Sequence, residues 1–273
     1  MTDPRDDVTA ERLQELLNAA CEFADRCAET TATIVHSGFV VSKKADASLV
    51  TTADVETERA FRMLVEERFP EMGLFGEELG ESNKGADFRW IIDPIDGTAE
   101  FARHLPWYGC IIGLHYKNLP LLGVIDHLAM GVRSHAAYGL GAFANGERLR
   151  IEDCGPDEAD AEARIGLPSL SAFLKPADSR SVFDAVVDVY PNFRAFRTCY
   201  AHTLAATGGL DVAMEWETPL WDLAATQILI EEAGGSFRYV NNSDIRDEQH
   251  LYSAVFGKPA LVKRMLEIIE GAL

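Results

Sequence analysis

The sequence predicts a mixed α/β (α+β) fold in which helices and sheets stack in layers. Three observations predict it. Two stretches ahead of Pro70 carry apolar residues at helical spacing, short apolar runs broken by turns follow from Trp90, and strands alternate with helices beyond Ala163. No internal repeat or low-complexity tract competes with that reading.

From Thr9 to about Val35, Leu13, Leu16, Leu17, Ala20, Phe23, Ala24 and Cys27 fall on one helical face, with Thr9 as N-cap. "TTADVETERAFRMLVEERF" is a second helix, with Asp54 near its start and Phe61, Leu64 and Val65 on one side. "RWIID", "YGCIIGLHY", "PLLGVIDHLA" and "GVRSHAAY" read as consecutive antiparallel strands separated by Asn-Leu-Pro and Met-Gly turns, and "ANGERLRI" adds an Asn-Gly hairpin. The polar "EDCGPDEADAEA" is the best loop candidate. Beyond it, "ARIGLP" and "LDVAMEW" read as strands, and "ADSRSVFDAVVDVY" and "AHTLAATGG" as helices. "PLWDLAATQILIEEAGG" reads as one amphipathic helix with a glycine C-cap, and "SAVFG" with "PALVKRMLEIIEGAL" closes the chain as strand and helix.

Composition narrows the function. A chain of 273 residues is long enough for a large core, and no linker divides it, so residues 1–273 are expected to form one unit. The 25 basic and 44 acidic residues give a net charge of -19, which repels nucleic acid and anionic membrane surfaces; a phosphorylated substrate is accepted only where cations sit in the site. Cys21, Cys27, Cys110, Cys154 and Cys199 are odd in number and contain no C-x-x-C pair, which points to a reducing cytoplasm. "MTDPRDDVTAER" is acidic where a signal peptide is basic and then apolar, and no stretch reaches the length of a membrane span. Neither a zinc spacing among the histidines nor a Gly-x-Gly-x-x-Gly fingerprint after a strand is present, so His202 and the other histidines read as structural or exposed and a dinucleotide is not expected.

The informative acids lie where core elements meet loops: Glu77 and Glu78 after "GLF", Asp93 and Asp96 after "WII", and Asp222 at a helix start. Singly, each has a bland explanation: a solvated turn for the glutamates, a favourable helix-start charge for Asp222 and Asp54, an N-cap for Thr98. Together, like charges at a low-dielectric edge repel by several kcal/mol unless compensated, and no lysine or arginine is near them in sequence. Hard oxygen donors of this kind suit Mg²⁺. In "IIDPIDGTAEF", Pro94 stiffens the backbone between two acids, Gly97 permits close approach, and Thr98 begins a helix whose free N–H groups can hold an anion.

These motifs resemble the inositol monophosphatase family of metal-dependent phosphatases. The resemblance rests on "SLVTTADVETE", "LFGEE", "WIIDPIDGTAEF" and "WDLAATQILIEEAGG", supported by "GVIDHLAMGVRSHAAYGLGAFANGERL" and "SAVFGKPAL", and extends over nearly the whole chain. It implies a layered αβαβα sandwich, with metal motifs in an N-terminal half (about 1–150) and Asp222 and the substrate rim in a C-terminal half (about 151–273). It also implies that Glu77, Asp93 and the carbonyl of Ile95 hold one Mg²⁺ and that Asp93, Asp96 and Asp222 hold a second, with room for a third, weaker ion beside Glu77. Asp54 and Thr98, assisted by Glu77, would activate water, and the amides of Gly97 and Thr98 would receive phosphate oxygens. A homodimer and lithium sensitivity come with the same resemblance.

For the substrate, "GVIDHLAMGVRSHAA" and "CYAHTLAATGGLDVAMEWETPLWDLAA" resemble the histidinol-phosphate phosphatase branch more than the inositol branch. Asp126 and Arg133 fit that branch; Leu128 replaces its usual proline, Arg197 and Thr198 stand where it carries Gly-Asp, and "SFRYVNNSD" lacks its Thr-Asp. Glu215 corresponds to a family acid that contacts the substrate's hydroxyl or amine, with Arg197 beside it on the rim. Histidinol phosphate is therefore favoured slightly, inositol monophosphate or a broad set of sugar and nucleotide phosphates is the alternative, and a catalytically silent regulatory binding protein is the alternative of a different class.

Overall fold

The N-terminal apolar stripe decides the first layer. In a computed structural model that describes residues 3–154, 162–174, 179–240 and 250–273, α1 (Ala10–Ser37) starts where the Thr9 hydroxyl accepts the N–H of Arg12 and buries the expected face from Leu13 to Cys27. The hairpin β1 (Val41–Lys43) and β2 (Leu49–Thr51) leads into α2 (Thr52–Arg68), whose start is closed by a reciprocal Thr51–Asp54 capping box. Phe23 of α1 and Phe61 of α2 meet edge to face with centroids 5.6 Å apart, and both pack on Trp90. Each such side chain contributes about 1.5–3 kcal/mol when fully buried, so this contact fixes which faces the two helices turn inward.

The strand-rich middle forms an eight-stranded sheet. Its members are β3 (Gly73–Gly76), β4 (Gly80–Ser82), β5 (Phe88–Asp96), β6 (Gly109–Tyr116), β7 (Leu119–His127), β8 (Val132–Ala137), β9 (Gly141–Ala144) and β10 (Glu147–Arg148), in the order β10-β9-β8-β7-β6-β5-β3-β4. The pairings are antiparallel except for β3 with β5. Strands β5 to β7 are buried on both faces, because helices cover both sides. The short α3 (Thr98–Ala102) follows β5, and the Asn145–Gly146 turn joins β9 to β10 with both residues left-handed.

The second half builds the remaining layers. It contributes β11 (Ile165–Leu167), α4 (Ser179–Val189), β12 (Arg194–Ala195), α5 (Tyr200–Thr207), β13 (Val212–Thr218), α6 (Leu220–Leu223), α7 (Thr226–Glu232), β14 (Ser236–Tyr239), β15 (Tyr252–Gly257) and α8 (Pro259–Glu270). A five-stranded sheet runs β12-β11-β13-β15-β14. One core joins α1 and α2 to the large sheet, a second lies between the two sheets around α5 to α7, and a third sits under α4 and α8. The stacking is helices, sheet, helices, sheet, helices, as the αβαβα expectation has it. No helix among the described residues is long and apolar enough to cross a membrane. Of the expected elements, residues 155–161 of the polar connector, Ala177 and Asp178 before α4, and 241–244 of "SFRYVNNSD" lie outside the described residues.

Two expectations are corrected. The strand expected to stop at Asp93 continues through Pro94 and Ile95 to Asp96, with a register shift against β6 between Asp93 and Asp96. The single helix expected after Pro219 is broken at Ala224 and Ala225 into α6 and α7. The break seats those alanines on Gly113 and Gly123: a Cβ on Gly113 would lie 2.5 Å from the Ala224 carbonyl oxygen. That carbonyl is met by His115 Nε2 at 3.1 Å.

Just before β13, the central strand of the second sheet, Asp211 accepts hydrogen bonds from Arg164 Nε at 2.9 Å and Nη2 at 2.8 Å, and Lys258 Nζ lies 2.9 Å away. Burial works to raise its pKa, but these partners outweigh it and hold the carboxyl well below the usual range. Asp211→Asn should therefore destabilise the protein near neutral pH, with the difference from the parent shrinking as the pH falls below about 4 and Asp211 itself takes up a proton. Urea titrations across pH check this. Gly113→Ala should cost about 1–3 kcal/mol by overpacking against Ala224, read from the same titrations.

Candidate active site

The register shift in β5 makes the centre. Three residues advance from Asp93 to Asp96 while the partner strand advances two, from Ile111 to Gly109. In a regular strand, side chains three apart face opposite ways; one extra residue turns both carboxylates to the same side. Asp222, in the first turn of α6, completes the group, and the oxygens of Asp93, Asp96 and Asp222 lie within 4.8 Å of one another.

Each of the three acids is anchored by a nearby donor. Asp93 Oδ1 accepts the N–H of Ile95 at 3.0 Å, Asp96 accepts the N–H of Cys199, and Asp222 accepts the hydroxyl of Thr218. Burial pushes the Asp93 carboxyl well up, and the negative charges of Glu77, Asp96, Asp222 and Asp54 push it further. Asp222 is raised in the same way, by burial and then by Asp96 and Glu77, and burial lifts Asp96 to about 6. No lysine or arginine is among these leading influences. An all-oxygen donor set of mutually repelling carboxylates, Asp93 and Asp96 buried and Asp222 half-buried, fits a small divalent cation, which would remove the repulsion that protonation otherwise relieves.

Glu77 stands at the border of this group. Its charge acts on Asp93 and Asp222, while its own Oε1 lies 2.7 Å from Lys44 Nζ. The same ammonium reaches Glu78 Oε1 at 2.8 Å. Burial disfavours the charge of Lys44, yet the two glutamates overcome it and its pKa rises. No basic residue is near these acids in sequence, but the fold supplies one: Lys44 arrives through the turn between β1 and β2. A basic residue preceding the "SLVTTAD" motif was visible, but nothing local linked it to Glu77.

Asp54 serves two ends. Its Oδ2 accepts the Thr51 N–H at 2.8 Å as part of the capping box, and its Oδ1 accepts the Thr98 hydroxyl at 2.9 Å. Burial raises its pKa, against hydrogen bonds from Thr51 and Thr98 that lower it. The Thr98 hydroxyl also lies 3.2 Å from the Ile95 carbonyl, so that carbonyl faces the same spot. Gly97, with φ of 88°, is the cap of α3 and Thr98 its first residue. A Cβ at Gly97 would come within 2.6 Å of Thr198 Cγ2, which explains the glycine by space as well as by conformation.

A cavity of about 550 Å³ opens from Asp96 and Asp222 toward a rim that includes Arg197, Glu215 and Glu217. His202 is buried in its wall, with Nε2 3.2 Å from Glu215 Oε1 and Nδ1 2.9 Å from the Thr226 hydroxyl. It therefore fixes the orientation of the rim acid, a role that its isolated place in the sequence did not disclose. Glu217, also missed, is left-handed at φ of 49° and donates its N–H to Ser253 Oγ at 3.1 Å. Asp126 and Arg133 pair at 2.6 Å and line a separate cavity with Cys21.

Comparison with known proteins follows the same lines. The profile of the inositol monophosphatase family matches residues 12–270. The chain is 35% identical over 240 residues to a histidinol-phosphatase of Chlorobaculum parvum, covering 87% of this chain and 91% of that protein. It is 28% identical over 236 residues to inositol monophosphatase 1 of Homo sapiens, covering 83% and 84%. In fold, the extragenic suppressor protein suhB from Bartonella henselae superposes with a TM-score of 0.82 at 21% identity, covering 95% of this chain and 100% of that one. Matched along almost its full length, motifs and layers together, the chain belongs to the inositol monophosphatase family.

Proposed function

We propose that the protein is a Mg²⁺-dependent phosphomonoesterase that releases phosphate from a small phosphorylated metabolite. The observation that carries this reading is the trio Asp93, Asp96 and Asp222, within 4.8 Å of one another, the first two buried and Asp222 half-buried, with Asp96 and Asp222 lining a cavity of about 550 Å³. In this reading Asp93, Asp96 and Asp222 would hold one ion, and Glu77, Asp93 and the Ile95 carbonyl another. Such ions supply Lewis-acid stabilisation of phosphoryl oxygens and ease the deprotonation of water.

The chain's own groups do the rest. Thr98 Oγ1, donating to Asp54 Oδ1 at 2.9 Å, can accept a proton from the attacking water while passing its own to Asp54. The raised pKa of Asp54, caused by its burial, suits it to receive that proton. The amides of Gly97 and Thr98, at a helix start capped by a glycine, would orient the phosphate. Glu77 enters as ligand and as a neighbour of the water.

Histidinol phosphate is the favoured substrate over inositol monophosphate and other sugar or nucleotide phosphates. Support comes from a histidinol-phosphatase among the relatives at 35% identity, against 28% for an inositol monophosphatase, and from Glu215 and Glu217 on the same rim, two acceptors for an ammonium group. Arg197 on that rim weighs toward a less cationic leaving group. A cytoplasmic homodimer completes the reading; the five cysteines Cys21, Cys27, Cys110, Cys154 and Cys199 are free, as a reducing compartment requires, and the dimer rests on the family resemblance.

A panel of phosphomonoesters with Mg²⁺, including histidinol phosphate and inositol 1-phosphate, tests the reaction. Phosphate release should require Mg²⁺, vanish with chelator, and show its highest kcat/KM with histidinol phosphate. A panel that stays silent favours a regulatory binding protein instead. Asp96→Asn and Asp222→Asn should each lower kcat by about 10²-fold or more, since several kcal/mol of transition-state stabilisation depend on these oxygens. Their urea midpoints should stay close to the parent's, and either variant working at the parental rate would sink the ligand assignment.

A further inference from the structure

Glu58 follows Asp54 by one helical turn on α2, a spacing that places the two carboxylates on neighbouring positions of one face. Its side chain is completely buried. A buried carboxylate is costly unless its oxygens are used, and these are. Oε2 accepts the N–H of Glu78 at 2.8 Å, and Oε1 accepts the N–H of Leu79 at 3.2 Å and Arg62 Nε at 2.8 Å. Arg62 then donates through Nη2 to the Gly80 carbonyl.

The backbone so clasped is the turn between β3 and β4, and that turn carries Glu77. Gly76 stands just before it, and a Cβ there would overlap the Glu58 carboxylate. Two consecutive N–H groups converging on one carboxylate form an anion-binding concavity in the backbone. Neither the capping of α2, which Thr51 and Asp54 complete, nor the hydrophobic contact of α1 with α2 calls for a buried acid at this position.

We infer that Glu58, backed by Arg62, is a positioning residue for Glu77: it locks the 76–80 turn to the helix that bears Asp54, and so sets Glu77 at a fixed place beside Asp93. The inference rests on the reading of Glu77 as a metal ligand, and it assigns Glu58 no contact with metal or substrate. A glutamine at this position keeps the volume but presents one acceptor oxygen and turns its NH₂ toward an N–H that needs an acceptor. The turn then loosens while the core stays.

The test compares Glu58→Gln with Glu77→Gln by amide hydrogen exchange of the metal-free protein and by calorimetric Mg²⁺ titration. In Glu58→Gln, exchange at Glu78 and Leu79 should accelerate about tenfold or more, with the amides of β6 and β7 as protected as in the parent. Mg²⁺ affinity should fall about 10- to 100-fold, the range seen when a group that orients a ligand is lost, and kcat at saturating Mg²⁺ should recover to within about twofold. If Glu77→Gln weakens Mg²⁺ binding and Glu58→Gln does not, the positioning role is wrong. If Glu77→Gln leaves Mg²⁺ affinity unchanged, the ligand reading of Glu77 fails, and the exchange data then speak for the clamp alone. Protection lost evenly through the sheet in Glu58→Gln means a merely structural acid and overturns the inference. Should Glu58→Gln fail to fold, Arg62→Lys, which keeps the charge and loses the second donor, is expected to shift turn exchange and Mg²⁺ affinity in the same directions by a smaller factor; no shift in either overturns the inference as well.

Discussion

The mutual repulsion of carboxylates held out of water is the constraint around which this molecule is arranged. Asp93, Asp96 and Asp222 come from two chain segments well separated in sequence, and burial plus their neighbours' charges push their protons on rather than off. Apolar layers on either side keep them together: the large sheet with α1 and α2 behind it, and the core shared with α5 to α7. Folding energy from those layers, of which each buried Leu, Ile or Phe supplies about 1.5–3 kcal/mol, is what holds like charges at a distance they would not choose in solution.

Two local irregularities convert that packing into a site. The extra residue in β5 aims Asp93 and Asp96 the same way, and Pro94 suits the place because a bulge has a position at which no ladder hydrogen bond is required. The break between α6 and α7 lets Ala224 and Ala225 settle on the glycines of β6 and β7, which brings the start of α6, and with it Asp222, down onto the sheet. Both are departures from regular secondary structure, and both sit where function asks more of the chain than stability does.

The net acidity of the protein and its affinity for a negatively charged ester are reconciled by location. Lys44 brings positive charge to Glu77 at the border of the aspartates, and the rim mixes Arg197 with Glu215 and Glu217. His202 ties Glu215 to the interior through Thr226, so the rim is continuous with the core and not a loose edge. The aspartates and the rim acids therefore line one cavity but are supported by different elements.

Much of this is legible in the sequence. Helical spacing from Leu13 to Cys27, the turn-punctuated runs after Trp90 and the Asn145–Gly146 hairpin determined the elements, because backbone periodicity and turn chemistry are local properties. The acids at Glu77, Asp93, Asp96 and Asp222, with Asp54 and Thr98, were also marked by sequence, since their residue types and order carry the family pattern. What tertiary structure alone decided was direction and partnership: that β5 runs on through a bulge, that one expected helix breaks over two glycines, that Lys44 reaches Glu77, that His202 holds Glu215, and that Glu58 grips the turn beyond Gly76. These depend on which surfaces meet when layers pack, a long-range outcome that no window of neighbouring residues contains.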